Sequence, residues 1–253
     1  MVEAEIPFPH PEVDAIVGNV AQTLTSRTRL AVIDHITSGS ALVLPLDRIF
    51  AVCHGAGVPV LVDGAHAPAQ VTLDMRSIGA DWYAGNCHKW LCAPKGSAFL
   101  YAAPERQQDL HPVTISHGFG KGFIDEFDWT GTRDPSAYLS TDVAIDFHAR
   151  LGGETLMARN VALAAEAVAL LSRRLNTEPG AVGAMAGSMG VVRLPGEATA
   201  ERSAALRARL LAAGTDAPTH VIDGALWVRV SAAAYNEIED FERLGEIVAE
   251  VLR

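Results

Sequence analysis

Two polar clusters that could do chemistry lie in the first third of the chain, each shortly after an apolar run. Val58–Val62 runs directly into Asp63, and Ala80–Ala84 leads to Lys89. Such apolar runs are typical of strands buried in a parallel sheet, where ligand sites lie at the carboxyl ends of the strands. A lysine placed there loses solvation, and the resulting fall in its pKa suits it to form a Schiff base.

An aspartate near such a lysine indicates the chemistry of pyridoxal phosphate (PLP). Asp63 could keep a heterocyclic nitrogen protonated, and the protonated PLP ring is an electron sink for a carbanion at a substrate α-carbon. His66 and His88 could contact the ring oxygen or the substrate. Under this interpretation Lys89 is the Schiff-base lysine.

Each of these residues also has a purely structural interpretation. Asp63 could cap the turn after its strand, since Asp-Gly is mostly a turn signal, or it could form an ion pair with Lys89. His66 and His88, taken singly, are more typical of ordinary hydrogen-bonded histidines, and Cys87 of a small core residue. The residue types alone leave both interpretations open.

Alternating strands and helices are expected to position the two clusters. A short helix is predicted through Ile16–Leu24, and a second over Leu42–Gly57. Strands are predicted at Arg29–Ile33, Val58–Val62, residues 80–86 and Gly96–Tyr101. This alternation is the signature of a mostly parallel α/β sheet. Asp63 and Lys89 should therefore emerge at the same edge of one sheet.

The pattern changes near residue 138, where long Ala-rich helices begin. The predicted elements from there on are helices Tyr138–Ala149 and Thr155–Leu175, strand Val191–Leu194, helix Ala200–Ala213, strand Leu226–Val230 and a helix over residues 238–252. These elements describe a smaller α+β unit. We therefore predict a large domain over residues 1–150 and a small C-terminal domain over residues 151–253.

Composition favours a small-molecule ligand. The net charge of −10 and the pI near 5.3 argue against nucleic acid or an anionic membrane as a partner. We expect no membrane-spanning segment, because no apolar stretch approaches the necessary length. The first residues lack the features of a secretion signal. The chain is therefore expected to be cytoplasmic.

The three cysteines, Cys53, Cys87 and Cys92, are not expected to form a disulfide framework, because their number is odd. Cys87, His88 and Cys92 have a spacing that zinc sites use. However, apolar residues flank them and no second Cys/His pair follows at a matching distance. We therefore expect no metal site.

The segments VLVDGAHAPAQ and IGADWYAGNCHKWLCAPKGSAFLY resemble the cofactor-binding region of the class V aminotransferases, which have PLP fold type I. The similarity is greatest to the isopenicillin N epimerase-like branch. DHITSGSALVLP, WTGTRDPSAYL and LWVRVSAAAYNEIEDFERL agree with that branch in the same order. The resemblance extends over essentially the whole chain and implies PLP as the cofactor.

The resemblance implies specific roles around the cofactor ring. Lys89 would bind PLP covalently, Asp63 would pair with the pyridine nitrogen, and His66 would lie against the ring. Thr37 would lie near the cofactor.

Further roles implied by the resemblance concern the phosphate and the substrate. His88 would lie near the cofactor phosphate, and Thr132 of the partner subunit would reach it in a homodimer. Arg229 would clamp the substrate carboxylate through two hydrogen bonds. Without the resemblance, Arg229 would be an outward charge on an edge strand and Thr132 a loop threonine.

The sequence departs from the family pattern in two places. Relatives carry a long preceding stretch with a phosphate-binding loop and a ring-stacking residue, so we expect the large domain to be N-terminally incomplete. Gly214–Leu226 contains no cysteine, whereas cysteine desulfurases need a nucleophilic cysteine there. This difference argues against persulfide-forming desulfuration.

These observations favour a PLP-dependent enzyme that acts at the α-carbon of an amino acid or peptide-like substrate, similar to isopenicillin N epimerase. One alternative is a carbon–sulfur lyase, which uses the same carbanion. Another is a truncated, non-catalytic remnant that does not bind PLP. The motifs do not distinguish epimerase, lyase and transaminase chemistry.

Overall fold

A computed structural model describes residues 1–180 and 183–253. In chain order, the helices and strands are α1 (Val13–Thr23), β1 (Ala31–Asp34), α2 (Leu46–Gly55), β2 (Val60–Asp63), β3 (Trp82–Asn86), β4 (Ala98–Ala102), α3 (Phe123–Asp128), α4 (Ser136–Leu139), α5 (Thr141–Arg150), α6 (Glu154–Leu175), β5 (Met189–Leu194), α7 (Ala200–Ala212), β6 (Thr219–Ile222), β7 (Ala225–Ser231) and α8 (Ile238–Val251). Short 3-10 turns lie at Pro104–Arg106 and Gly183–Met185.

The first sheet has the strand order β1-β2-β3-β4. Strands β1, β2 and β3 are parallel, and Asp34 at the end of β1 is in register with Asp63 at the end of β2. Strand β4 runs antiparallel to β3, because the tight connection after Asn86 contains no crossover helix, which a parallel return requires. The sheet is therefore mostly parallel, as predicted.

The core of this first unit lies between the sheet and helices α1 and α2. Ile16 of α1 and Ile49 of α2 pack with Val60, Val62 and Tyr83 of the sheet, and all five side chains are buried. Burying an aliphatic side chain of this size stabilises the fold by roughly 1.5–3 kcal/mol. This packing holds the ends of β2 and β3 in fixed positions.

Helix α2 begins four residues later than the sequence pattern predicts. Pro45 occupies its N-cap, and Leu42 and Val43 lie in extended backbone that forms isolated bridges. The residue before a proline disfavours the helical region, so the helix cannot extend back through Leu44. The loop from β1 to α2 is therefore extended and contacts the second half of the chain.

The second sheet is antiparallel and has the order β5-β7-β6. Strand β7 is its central strand, so the interpretation of WVRVS as an edge strand is wrong. The error arose because the sequence pattern did not reveal β6, which pairs with β7 along its other edge. Helices α6, α7 and α8 pack against this sheet and form a second core.

Helix α6 is long and apolar enough, by length and composition alone, to cross a membrane. The expectation that no segment reaches this length is therefore wrong. However, Leu163, Ala167, Val168 and Leu171 of α6 are buried in the second core. Helix α6 is therefore packed as a core helix, and core helices can also satisfy the length and composition criteria for a membrane-spanning helix.

The turn between α5 and α6 coincides with the predicted domain boundary near residue 150. The first core also contains residues from the second half of the chain, because Met189, Val191 and Trp227 of the second sheet pack in it. The edge of the Trp227 ring contacts Phe8, with 4.8 Å between ring centroids. The division into domains at 1–150 and 151–253 stays a prediction.

Candidate active site

Asp63 and Lys89 lie at the same edge of the first sheet, as the sequence predicts. Asp63 is the last residue of β2, and Lys89 lies three residues beyond the end of the neighbouring parallel strand β3. One Asp63 oxygen accepts a 2.9 Å hydrogen bond from the N–H of Ala65 and so caps the turn. The other oxygen has no hydrogen-bond donor within the described ranges, and the side chain is exposed.

Lys89 contacts His66 rather than Asp63. Its Nζ lies 3.2 Å from Nε2 of His66. On the opposite side of the imidazole, Nε1 of Trp90 donates a 3.3 Å hydrogen bond to Nδ1. Within residues 1–180 and 183–253, Lys89 forms no ion pair with Asp63. The interpretation of the two residues as a structural ion pair is therefore not supported.

Burial sets the protonation of both groups. Burial, with the charges of Lys89 and Arg229 acting in the same direction, lowers the pKa of His66 to about 4, although Asp63 opposes the shift. Burial is also the main cause that lowers the pKa of Lys89; Asp63 opposes it and Arg229 reinforces it. His66 is therefore neutral near pH 7, and the neutral form of the Lys89 amine is favoured relative to an exposed lysine.

Arg229 brings the second sheet to the site. Its Nη1 donates hydrogen bonds to Ser38, at 2.6 Å to the carbonyl oxygen and 3.3 Å to Oγ. Its Nε is buried and has no hydrogen-bond partner within the described chain. A buried donor without a partner is costly. The residue itself lines a cavity, where its guanidinium could bind a ligand carboxylate.

Lys89, His66 and Arg229 line one cavity of about 320 Å³ between the two units. Helices α5 and α6 supply part of its wall. The apolar part of the lining includes Trp90, Leu91, Leu151, Leu156 and Met189, while Asn160, His148 and Tyr235 add polar groups. The cavity thus combines an apolar wall with a few convergent polar side chains, which is typical of small-molecule sites.

Four predicted cofactor ligands do not line this cavity. One is Asp63, which lies at the neighbouring strand end described above. Oγ1 of Thr37 accepts a 2.8 Å hydrogen bond from the N–H of Leu42. Nδ1 of His88 donates to the carbonyl of Ser97 at 2.8 Å. Thr132 is exposed in the loop between α3 and α4. Their roles in cofactor binding stay predictions.

The sequence pattern did not identify Trp90, Ser38 and Asn160 as site residues. Trp90 directly follows Lys89, so its position in the HKW motif was an available signal. Asn160 is 5% exposed on the mostly apolar buried face of α6, and an amide on such a face is a signal of a polar site. Ser38 gave no signal, because its contact with Arg229 spans 191 residues.

The donors and acceptors present fit PLP. A partly desolvated lysine amine could bind the cofactor covalently, and a carboxylate oxygen without a donor lies at the neighbouring strand end. Arg229 lines the same cavity as Lys89, where its guanidinium could bind a carboxylate. A Schiff-base lysine, a carboxylate and a guanidinium are the types of group that could hold PLP and an amino-acid substrate.

Comparison with known proteins agrees with this fit. A family model described as aminotransferase class-V matches residues 9–244. The chain is 35% identical to putative L-cysteine desulfhydrase 2 of Oryza sativa subsp. japonica, over 100% of this chain and 60% of that protein. It is 34% identical to isopenicillin N epimerase of Streptomyces clavuligerus, over 91% of this chain and 62% of that protein.

Solved structures with the same fold include a cystine C-S lyase, C-DES, in complex with its product cysteine persulfide (TM-score 0.75, 23% identity, 92% of this chain and 64% of that one). They also include a cysteine desulfurase from Thermococcus onnurineus NA1 (TM-score 0.73, 16% identity, 93% and 62%). These likenesses confirm the predicted fold type I.

The chain spans about 60% of the length of the curated relatives that it matches. The family match covers most of the chain and includes the segments that carry Asp63, Lys89 and Arg229. The chain therefore belongs to the class V aminotransferase family, whose members depend on pyridoxal phosphate.

Proposed function

We propose that this protein is a PLP-dependent enzyme that acts at the α-carbon of an amino-acid-type substrate. The observation that carries the proposal is the cavity in which the Lys89 amine and the Arg229 guanidinium face the same space. Asp63 at the adjacent strand end completes the set. When bound, PLP supplies the electron sink that stabilises negative charge at the α-carbon.

Arg229 orients the substrate. Its Nη1 is fixed by Ser38, so the guanidinium plane is held beside the cavity that the residue lines. A planar guanidinium binds a carboxylate with a defined orientation, which an ammonium group does not. The α-carbon of the substrate is thereby directed toward the Lys89 side of the cavity.

Lys89 moves the proton. Its Nζ, as a neutral amine, takes the proton from the α-carbon and can return it or deliver it elsewhere. Asp63 would hold a proton on the ring nitrogen of the cofactor through the oxygen that has no donor among the described residues. The apolar wall of Trp90, Leu151, Leu156 and Met189 limits water around Nζ, which keeps the amine neutral and reactive.

The reaction proposed first is epimerisation, as in isopenicillin N epimerase. A second candidate is carbon–sulfur β-elimination, because relatives named L-cysteine desulfhydrase are similar over the full length of this chain. Elimination needs no catalytic cysteine, and Gly214–Leu226 has none. Both reactions begin with the same proton transfer to Lys89 and diverge afterwards.

We also propose a cytoplasmic homodimer in which Thr132 of the partner subunit reaches the cofactor phosphate. Support comes from the exposed apolar side chains near this loop, such as Phe119, Ile124, Trp129 and Leu139, since large exposed apolar groups mark interaction surfaces. The net charge of −10 supports a small-molecule substrate over nucleic acid or membrane partners.

Absorbance spectroscopy with added PLP, before and after borohydride reduction, tests the proposal. Wild type and the control Lys95→Ala, which removes an exposed lysine of the same region, should give a long-wavelength band. Reduction should abolish this band and leave the cofactor irreversibly attached to the protein. Lys89→Ala should not. Equal, weak and reversible binding in all three proteins would instead support the non-catalytic alternative.

Product analysis then separates the two reactions. Release of pyruvate and sulfide from L-cysteine would favour the lyase. Inversion of the α-carbon without loss of the side chain, followed by chiral chromatography, would favour the epimerase. The Lys89→Ala variant should be inactive in both assays, because both require the same proton transfer.

A further inference from the structure

The hydrogen-bond chain through Trp90, His66 and Lys89 fixes where the protons lie. The indole N–H of Trp90 can only donate. It is directed at Nδ1 of His66 at 3.3 Å, so Nδ1 must act as an acceptor and carries no proton. This assignment depends only on the identity of the donor and the geometry.

A neutral imidazole carries one proton, so in His66 that proton lies on Nε2. Nε2 is 3.2 Å from Nζ of Lys89. An N–H at this distance needs an acceptor, and an ammonium group has no lone pair to offer. The arrangement is therefore satisfied only when Lys89 is a neutral amine that accepts the hydrogen bond from His66.

We propose that Trp90 is a positioning residue that locks His66 in the Nε2–H tautomer, and that His66 in turn holds Lys89 as a neutral amine before cofactor binds. The neutral amine is the form that attacks a carbonyl carbon. This inference deepens the proposed function and rests on the role of Lys89 as the residue that binds the cofactor.

The surrounding charges agree with this arrangement. Burial, the main influence on both groups, lowers the pKa of Lys89 and of His66, and Arg229 acts in the same direction. Asp63 opposes both shifts. The other titratable groups that line the cavity are Cys92, His148 and Tyr235, and none of them forms a hydrogen bond or ion pair with Lys89 within residues 1–180 and 183–253.

The alternative proton arrangement is disfavoured by the same contacts. If Nδ1 of His66 carried the proton, two N–H groups would face each other across 3.3 Å at Trp90. Nε2 would then accept from a charged Lys89. That arrangement would leave the partly buried indole N–H without an acceptor, which is unfavourable. The two arrangements therefore predict opposite tautomers of His66.

The first test measures the tautomer in the cofactor-free protein. Histidine side chains labelled with ¹⁵N report the protonated nitrogen through their chemical shifts, and comparison with His66→Gln assigns the signal. We expect the Nε2–H tautomer at pH 7 in wild type. The Nδ1–H tautomer would overturn the proposal, even if PLP binding to Lys89 were confirmed.

The second test measures the reactivity of Lys89 without PLP. An acylating reagent is applied over a range of pH, and modification of Lys89 is quantified by mass spectrometry, with exposed Lys95 as the internal reference. Trp90→Phe keeps an aromatic ring but removes the N–H. It should slow modification of Lys89 about tenfold near neutral pH, equivalent to a pKa rise of one unit.

Trp129→Phe is the matched control, because Trp129 is exposed and forms no part of this chain of contacts. It should leave the modification profile of Lys89 unchanged. An unchanged profile in folded Trp90→Phe would overturn the proposal. If circular dichroism shows that Trp90→Phe does not fold, the tautomer in wild type decides alone. Neither test uses PLP, so each outcome is distinct from failure of the proposed enzyme function.

Discussion

The guanidinium of Arg229 donates a 2.6 Å hydrogen bond to the carbonyl oxygen of Ser38, a residue 191 positions earlier in the chain. The bond joins the central strand of the second sheet to the loop after β1. It also uses only one side of the guanidinium, since Nε of Arg229 is buried and has no partner within the described residues. One residue thus connects the two units and also lines the cavity that contains Lys89.

Arg229→Lys should weaken binding of a carboxylate substrate more than it weakens the fold. Lysine can replace a hydrogen bond to Ser38, but it lacks the planar guanidinium, so we expect the dissociation constant to rise about tenfold or more. The change is measured by titrating an amino-acid substrate into the PLP-loaded protein and following the cofactor spectrum. Arg193→Lys, an exposed substitution in the same sheet, is the control and should leave affinity unchanged.

Asp81 holds the first sheet together through a buried carboxylate. It accepts hydrogen bonds from the N–H of Val60 at 2.7 Å, from Nε2 of His54 at 2.9 Å and from Nε of Arg106 at 2.6 Å. Burial opposes its charge, but these three donors outweigh burial and lower the pKa of Asp81. The carboxylate is therefore charged at neutral pH, and both of its oxygens accept hydrogen bonds.

Asp81→Asn should destabilise the fold by roughly 2–4 kcal/mol, because the amide cannot accept at both positions and a buried partner is left unpaired. Urea unfolding at pH 7 measures the loss. Asp109→Asn, an exposed substitution nearby, should change stability little. A loss equal to that of the control would mean that the Asp81 network contributes nothing measurable.

The ends of the parallel strands were predictable from sequence because their signals are local. The apolar runs, the residue types that follow them and their order were enough to bring Asp63 and Lys89 to one sheet edge. The motif around Lys89 also identified the family. In each case the evidence lies within a few consecutive residues.

The remaining features depend on pairing between distant segments. The central position of β7 requires β6, whose short segment gives little pattern of its own. The Arg229–Ser38 bond is a consequence of tertiary packing. The roles of Trp90 and Asn160 depend on which side chain faces the cavity, which periodicity does not show.

His35 should make the folded protein sensitive to acid. Burial lowers its pKa to about 4, and its Nδ1 lies 2.8 Å from the hydroxyl of Tyr83. Between pH 6.5 and pH 4 the unfolded chain binds a proton at this position and the folded chain does not. Stability is therefore lost as the pH falls through this window and is fully present above it.

His35→Gln removes the titrating group but can keep a hydrogen bond to Tyr83. Between pH 7 and pH 4.5, wild type should lose roughly 2 kcal/mol more stability than this variant. Urea unfolding at the two pH values gives the difference. The other titrating groups contribute equally to the pH dependence of both proteins, so their contributions cancel. An equal loss in both proteins would show that His35 is not neutral in the folded state.

Gly64 should tolerate no side chain, because of its close approach to Tyr83. A Cβ at this position would overlap the Tyr83 ring, which is fully buried in the first core and cannot move aside easily. Overpacking of this kind costs about 1–3 kcal/mol. Gly64→Ala should therefore lower stability and displace the turn that carries Asp63 and His66, so PLP should bind more weakly.

Gly18→Ala is the matched control, since a Cβ at Gly18 of α1 meets no atom within 4 Å. It should stabilise the protein slightly, because alanine favours the helix over glycine by roughly 0.5–1 kcal/mol. A double-mutant cycle with Tyr83→Ala completes the test. If the clash is the cause, Gly64→Ala costs less when the ring is absent; an undiminished cost would place its origin in the backbone of the turn.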